Sequence, residues 1–351
     1  MLKKCKLTML AVAALLGASA AQAQVNLTSN TAEPGTTAGL TASALVEYAA
    51  ANGVANIQLK DGQTGTNYFQ AMAEGKVDIV NGPFILPFLL TRAAGPYAAL
   101  GKEKGAELGP NIQLLYPYTL SVFTMYAYDS KGVKGWDDLK GRKVLNGPPR
   151  GAATTNSRAL TQLFGGAKFD DDYESVTMNW GQIAGGMIDG TADVAVIPAM
   201  FPGPRVTRAG AAGAMTLYSL PKDIFESETG QKVLNKPGSS AFTIPVADLE
   251  ATMGEGWTVS SEDETFRAMS VVGGDFVNKS MDEEVAYGLA KAHIDNLEGH
   301  SKLAPFMASL NFGMLDPKIS GLCGPNPVKF HAGAVRAWEE AGVEVPACAK
   351  P

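Results

Sequence analysis

The residues best suited to chemistry stand close together in one run, Gly147-Pro148-Pro149-Arg150-Gly151-Ala152-Ala153-Thr154-Thr155. A short strand predicted over 143–145 must stop at the prolines, which lack an N–H and fix φ. A helix predicted over 152–163 then begins. The opening turn of a helix has N–H groups without intrahelical partners and carries the positive end of the dipole, so it attracts a carboxylate or phosphate. Arg150 offers such a group a planar, two-donor grip. Gly151, the N–H groups of Ala152 and Ala153, and the hydroxyls of Thr154 and Thr155 can satisfy its remaining lone pairs. The chemistry is anion binding. An ordinary strand-to-helix connection with a polar cap uses the same residue types, so the surrounding elements have to decide.

Catalytic signatures are missing. No G-x-S-x-G elbow, P-loop or G-x-G-x-x-G occurs. The three histidines are His293, His300 and His331, with no H-E-x-x-H among them. His293 and His300 are seven apart, a spacing that can share a helix face, and read as surface or packing residues. Asp170-Asp171-Asp172 reads as a solvated acidic loop. The chain is expected to be a binding protein and not an enzyme, without cofactor or metal.

The elements that would position an anion site repeat one theme. Strands are predicted over 24–29, 56–59 and 77–80. Each ends in a turn of Ser, Thr, Asn or Gly, with Asn30, Thr31, Glu33 and Thr36 in the first, Thr64, Thr66 and Asn67 in the second, and Asn81 in the third. Helices follow over 38–52 and 68–74. In an open parallel sheet such turns share the edge at the carboxyl ends of the strands, where ligands bind. Residues 111–118 and 121–128 are apolar and aromatic with a period near two, and read as two strands, one of which could span two domains. Strands over 173–177, 192–197 and 215–220 and a helix over 181–189 build the second unit. Trp180, Met200 and Phe201 could cover the apolar body of a ligand. Glu33 either faces solvent or binds an ammonium. Residues 242–245 and 265–276 would complete the first unit, and helices are expected over 281–296 and 333–341.

Residues 1–23 carry Lys3, Lys4 and Lys6, an apolar run over 7–17 and Ala21-Gln22-Ala23. That is the pattern of a secretory signal, with cleavage expected after Ala23. Of 29 lysines and arginines, 26 then remain against 35 acids, a net charge of −9. No basic cluster is left for nucleic acid, and the mature protein is not expected to be embedded in a membrane. Two cysteines remain, Cys323 and Cys348, and an oxidising compartment favours a disulfide between them. A mature length of 328, from 351 less 23, suggests two domains of α/β class.

The run G-V-K-G-W-D-D-L-K-G-R-K-V-L-N-G-P-P-R-G-A-A-T-T resembles the entry to the second domain of type II periplasmic binding proteins. More narrowly it is similar to the TAXI family of solute-binding proteins that serve TRAP transporters. Q-T-G-T-N-Y-F-Q-A-M-A-E-G-K-V-D-I-V-N, W-G-Q-I-A-G-G-M-I-D-G-T-A-D-V-A-V-I-P and K-F-H-A-G-A-V-R-A-W-E-E-A-G-V resemble further segments of that family. The chain departs at T-A-E-P-G-T-T, where the family has a glycine-rich run, at Pro149-Arg150-Gly151, and at Ala332, which replaces a proline. The resemblance implies two α/β lobes joined by crossing hinge strands, with lobe 1 over 24–120 and 221–351 and lobe 2 over 121–220. It implies a periplasmic protein that closes on a carboxylate or amino acid and hands it to the membrane components of a TRAP transporter. An ABC-type or tripartite tricarboxylate importer, or an enzyme on the same scaffold, are the alternatives.

Overall fold

The structure, a computed structural model, describes residues 24–149, 152–326 and 328–351. Among these, twelve strands form one curled, mixed sheet: β1 Val25–Asn30, β2 Ala55–Lys60, β3 Ile79–Pro83, β4 Ile112–Tyr128, β5 Lys143–Leu145, β6 Glu174–Val176, β7 Val194–Ala199, β8 Met215–Tyr218, β9 Ser239–Pro245, β10 Trp257–Ser260, β11 Thr265–Asn278 and β12 Lys329–Phe330. The main path runs β2-β1-β3-β11-β4-β7-β5-β6. The three N-terminal strands are parallel, as are β5, β6 and β7, while β4 and β11 run antiparallel to their neighbours except for the short β12, which is parallel to β4.

The expected α/β class and crossing strands are both present, with one revision. Residues 112–128 form a single strand of 17 residues, and β11 pairs along it for most of its length. The hydrophobic pattern runs through both halves, so nothing at the centre stops the ladder. At the crossing the register slips: Val271 faces Ser121 and Val272 faces Thr119, leaving Leu120 as an extra residue. Such a bulge bends the strand that carries it.

Three large clusters of buried side chains lie along the sheet. The first joins helix α1 (Thr37–Ala51), helix α2 (Gly65–Ala73) and β1–β3 to the opening half of β4, the closing half of β11 and the C-terminal helix Ala332–Glu340, with Phe69, Phe276 and Trp338 at its centre. The other two cover the opposite faces of β7 and the second half of β4, around Phe201 and Met215 on one side and Trp136 and Val196 on the other. Phe225, Leu234, Phe242, Leu249, Phe266 and Met269 belong to these last two. The segment 225–269, assigned from sequence to the first lobe, therefore packs with the second. Cys323 and Cys348 are joined by a disulfide that closes the C-terminal segment. No helix among the described residues is long and apolar enough to cross a membrane.

Candidate functional site

A cavity of about 390 Å³ opens where the two halves meet, at the carboxyl ends of β1, β3 and β7. Its first wall is the turn after β1 and the start of α1, from Ala32 to Ala38, with Tyr68, Gly82 and Pro83 beside it. Leu120 and Ser121 of the β4 bulge and Val271 of β11 lie at the crossing. Trp180, Pro198, Met200 and Arg205 face them from the other half. A second hollow of about 310 Å³ continues past Trp180 to Arg208. A larger one, about 650 Å³, sits at the opposite end of the first lobe, around Val25, Val77 and Asn278. That is the amino end of the parallel strands, whereas open α/β sheets bind ligands at the carboxyl end, so the cleft is the candidate.

The first wall is built by a capped helix start. Thr36 Oγ1 accepts from the Gly39 N–H at 3.1 Å and donates to the Glu33 carbonyl at 2.7 Å. The N–H groups of Thr37 and Ala38 precede the first i→i−4 bond, which runs from Leu40 to Thr36. Both residues border the cavity, so the positive end of a 15-residue helix meets the cleft. The Thr37 hydroxyl spans to the other elements, donating to the Leu120 carbonyl at 2.7 Å, with Met200 Sδ at 3.2 Å. Gly82 is glycine for want of space, since a Cβ there would come within 2.8 Å of the Phe69 ring.

The opposing wall carries the cation. Arg205 is the second residue of the helix Pro204–Gly210, which follows β7. Its Cζ lies 4.7 Å over the Trp180 ring, and Nη1 donates to the Pro198 carbonyl at 3.4 Å. It forms no salt bridge among the described residues. Burial pulls its pKa below the usual value, opposed by Tyr126 and then Glu33; a guanidinium stays charged regardless. Trp180 is 41% exposed although it is one of the largest side chains, so one face of its ring is left for a ligand. Glu33 is exposed and borders both hollows. Two arginines against one carboxylate give the cleft a positive balance in a chain of net charge −6.

The sequence-derived residues divide. Glu33, Thr36, Trp180 and Met200 line the cleft. Asn30 ends β1 and Thr31 follows it, buried, with a hydroxyl that has no partner. Thr64, Thr66 and Asn67 open α2, outside the lining. Asn81 is fully buried beneath the cleft floor. Phe201 lines neither hollow: it is buried inside the second half, edge-on to Tyr126 and Trp257. Ala152, Thr154 and Thr155 do not line either hollow, and Thr154 is buried with its hydroxyl donating to the Pro148 carbonyl. Arg150 and Gly151 lie outside the described residues. Arg205, Tyr68 and Thr37 were missed. A signal for Arg205 existed, because Gly203-Pro204-Arg205 after a buried strand has the form of a helix start carrying a cation.

A model of the NMT1-like family matches residues 70–342. The chain belongs to the NMT1-like family. Among solved structures, this member is similar to the periplasmic aliphatic sulphonate binding protein SsuA of Escherichia coli, at 13% identity over 85% of this chain and 89% of that one, TM-score 0.46. It is also similar to a TRAP periplasmic solute binding protein of Rhodobacter sphaeroides, at 13% identity over 90% and 93%, TM-score 0.48. A third is the ectoine-binding protein of the TeaABC TRAP transporter of Halomonas elongata, at 12% identity over 90% of each chain, TM-score 0.44. No curated protein matches.

Proposed function

We propose that this NMT1-like protein is an extracytoplasmic solute-binding protein, and that its solute is a small carboxylate with an apolar body. The observation that carries the reading is the pairing across the cleft: a guanidinium laid on an exposed indole faces the opening turn of α1. A desolvated carboxylate needs both charge and hydrogen bonds, and those two walls supply them. Leu120, Pro198, Met200 and Val271 leave little to bond a polyhydroxylated solute. The lobes close by bending at the β4 bulge, so that a solute touching both walls favours the closed form. Closure presents a joint surface to the membrane components of a transporter, which the TAXI-like motifs suggest is of TRAP type. The chain acts in the periplasm after cleavage near Ala23, and binds without turnover.

A thermal-shift panel tests this with aliphatic and aromatic monocarboxylates, sulfonates, amino acids, amines and sugars. A ligand at 100 times its Kd adds about 2.7 kcal/mol of apparent stability. Apolar monocarboxylates are expected to raise the melting temperature. A panel in which only amines or sugars do so refutes the assignment.

A further inference from the structure

Below the cleft floor, where β11 passes between β3 and β4, Asp275 is fully buried. Tyr118 donates to its Oδ1 at 2.7 Å, and Tyr116 donates to Oδ2. The hydroxyl of Thr41 on α1 donates to the Tyr118 oxygen at 3.0 Å and lies 2.8 Å from the Thr37 carbonyl. On the other side, Asn81 is the cross-strand partner of Asp275; its amide N–H favours the ionised carboxylate, while its Oδ1 has no hydrogen-bond partner among the described residues. The main-chain carbonyl of Asn81 accepts from Tyr68, a cleft residue, at 2.8 Å. One polar chain therefore leads from both edges of the first cleft wall to one carboxyl group at the strand crossing.

We propose that Asp275 links a proton to the opening and closing of the lobes, making solute capture in the cleft pH-dependent. The inference rests on the binding reading above and adds its regulation. Ionised, the carboxylate accepts from both phenols, and the Asn81 N–H favours this form from across the ladder. Protonated, it must donate, and the two phenol donors cannot both keep their direction. The unpartnered Asn81 Oδ1 is a ready acceptor if the amide turns. Otherwise Tyr118 turns its O–H away and loses the bond from Thr41, which sits one turn into α1 behind Thr37. The second response reaches a cleft wall through Thr41 and Thr37.

The groups facing this site are Asn81 from β3, Tyr68 from α2, Tyr116 and Tyr118 from β4, Tyr48 from α1, and His293 and His300 behind Tyr116. His293 stacks on Tyr116 with ring centroids 3.3 Å apart, and His300 lies 4.2 Å beyond. No cation is among the partners of Asp275 in the described residues. Burial raises its pKa to about 6, against the hydrogen bonds from Tyr116, Tyr118 and Asn81 that pull it down.

The test needs no ligand. Fluorophores are placed on cysteines at Asp61→Cys and Asp171→Cys, one per lobe, and the distance between them is followed by energy transfer from pH 4.5 to 8. The distance is expected to titrate with a midpoint near 6, to go flat in Asp275→Asn, and to move its midpoint upward in Tyr118→Phe, which loses a bond to the ionised form. A flat wild-type profile, or one unchanged in Asp275→Asn, overturns the proposal. Should Asp275→Asn not fold, an unmoved midpoint in Tyr118→Phe does the same. If the distance titrates as described but no carboxylate raises the melting temperature, the carboxylate assignment fails and the proton linkage stands.

Discussion

Removing the guanidinium of Arg205 should separate binding from stability. Within the protein this side chain makes little: a long bond to the Pro198 carbonyl at 3.4 Å and a ring contact at 4.7 Å. A contact of the second kind is worth about 0.5–1 kcal/mol, so Arg205→Ala is expected to lower stability by roughly 1 kcal/mol at most. The ligand loses far more, because a carboxylate desolvated in the cleft is left without its charge partner. That costs about 2–4 kcal/mol, or roughly 30- to 700-fold in Kd. Arg205→Lys keeps the charge and loses the planar fork and its seat on Trp180, so it should fall between, at about tenfold. Calorimetry with the carboxylate that gives the largest thermal shift measures the first effect, and urea denaturation of the ligand-free protein the second. Wild-type affinity in Arg205→Ala would place the anion elsewhere. A large loss of stability with unchanged affinity would make the residue structural.

Two further outcomes follow from the first lobe and the C-terminal segment. The Cys323–Cys348 disulfide closes a loop with a sequence separation of 25; chain entropy makes that about 3 kcal/mol, so Cys348→Ser together with Cys323→Ser should lower the unfolding free energy from urea melts by that amount, and an unchanged value would refute the entropic contribution. The buried histidines and Asp275 should give opposed pH limbs. Burial lowers His300 from 6.5 to about 4, so its contribution is present above pH 6.5 and is lost as pH falls through 4, roughly 3 kcal/mol in all. Asp275 is raised from 3.8 to about 6, so its contribution is present below pH 3.8 and is lost as pH rises through 6. Asp275→Asn should steepen the loss of stability toward acid and His300→Phe should flatten it, read from urea melts between pH 4 and 7.

Much of the architecture was legible because each element announces its own ends. The polar turns after β1 and β2, the proline stop after β5 and the helix start at Asp282 all depend on residues adjacent in sequence, and the observed elements match those expectations closely; Asn81-Gly82-Pro83, expected as a turn, instead continue β3, because β11 pairs with them. The paired cysteines were legible for a different reason: two remain after residue 23, and an oxidising compartment favours joining them. The site was less so, because it is assembled from walls far apart in the chain. Arg150 and Arg205 look alike in sequence, each a cation after a proline at a helix start, and only the packing of β7 against β4 puts Arg205 beside Trp180. Phe201 sits in a turn rich in proline and reads as exposed, yet the second half of the sheet closes over it. Asp275 left a trace that was overlooked: a lone acid in Val271-Val272-Gly273-Gly274-Asp275-Phe276-Val277 must be bonded if the strand is buried. His293 and His300 do not share a face of one helix: the first ends the helix Glu283–Ile294, the second lies on the short helix Leu297–His300, and the break between them brings their rings together inside the core rather than at the surface.

The position of β11 in the sheet bears on how the chain is made. β1, β2 and β3 form no ladder with β4; β11 is inserted between them, and Pro83 waits for Gly273. At synthesis rates of about 5–20 residues per second, the inner edge of β3 stays bare for roughly 10–40 seconds before its partner leaves the ribosome. Neither half can finish its sheet early, so the nascent chain is held in a loose, threadable state for most of its synthesis. A break introduced between β10 and β11 would leave the entire N-terminal portion with an unpaired, aggregation-prone rim.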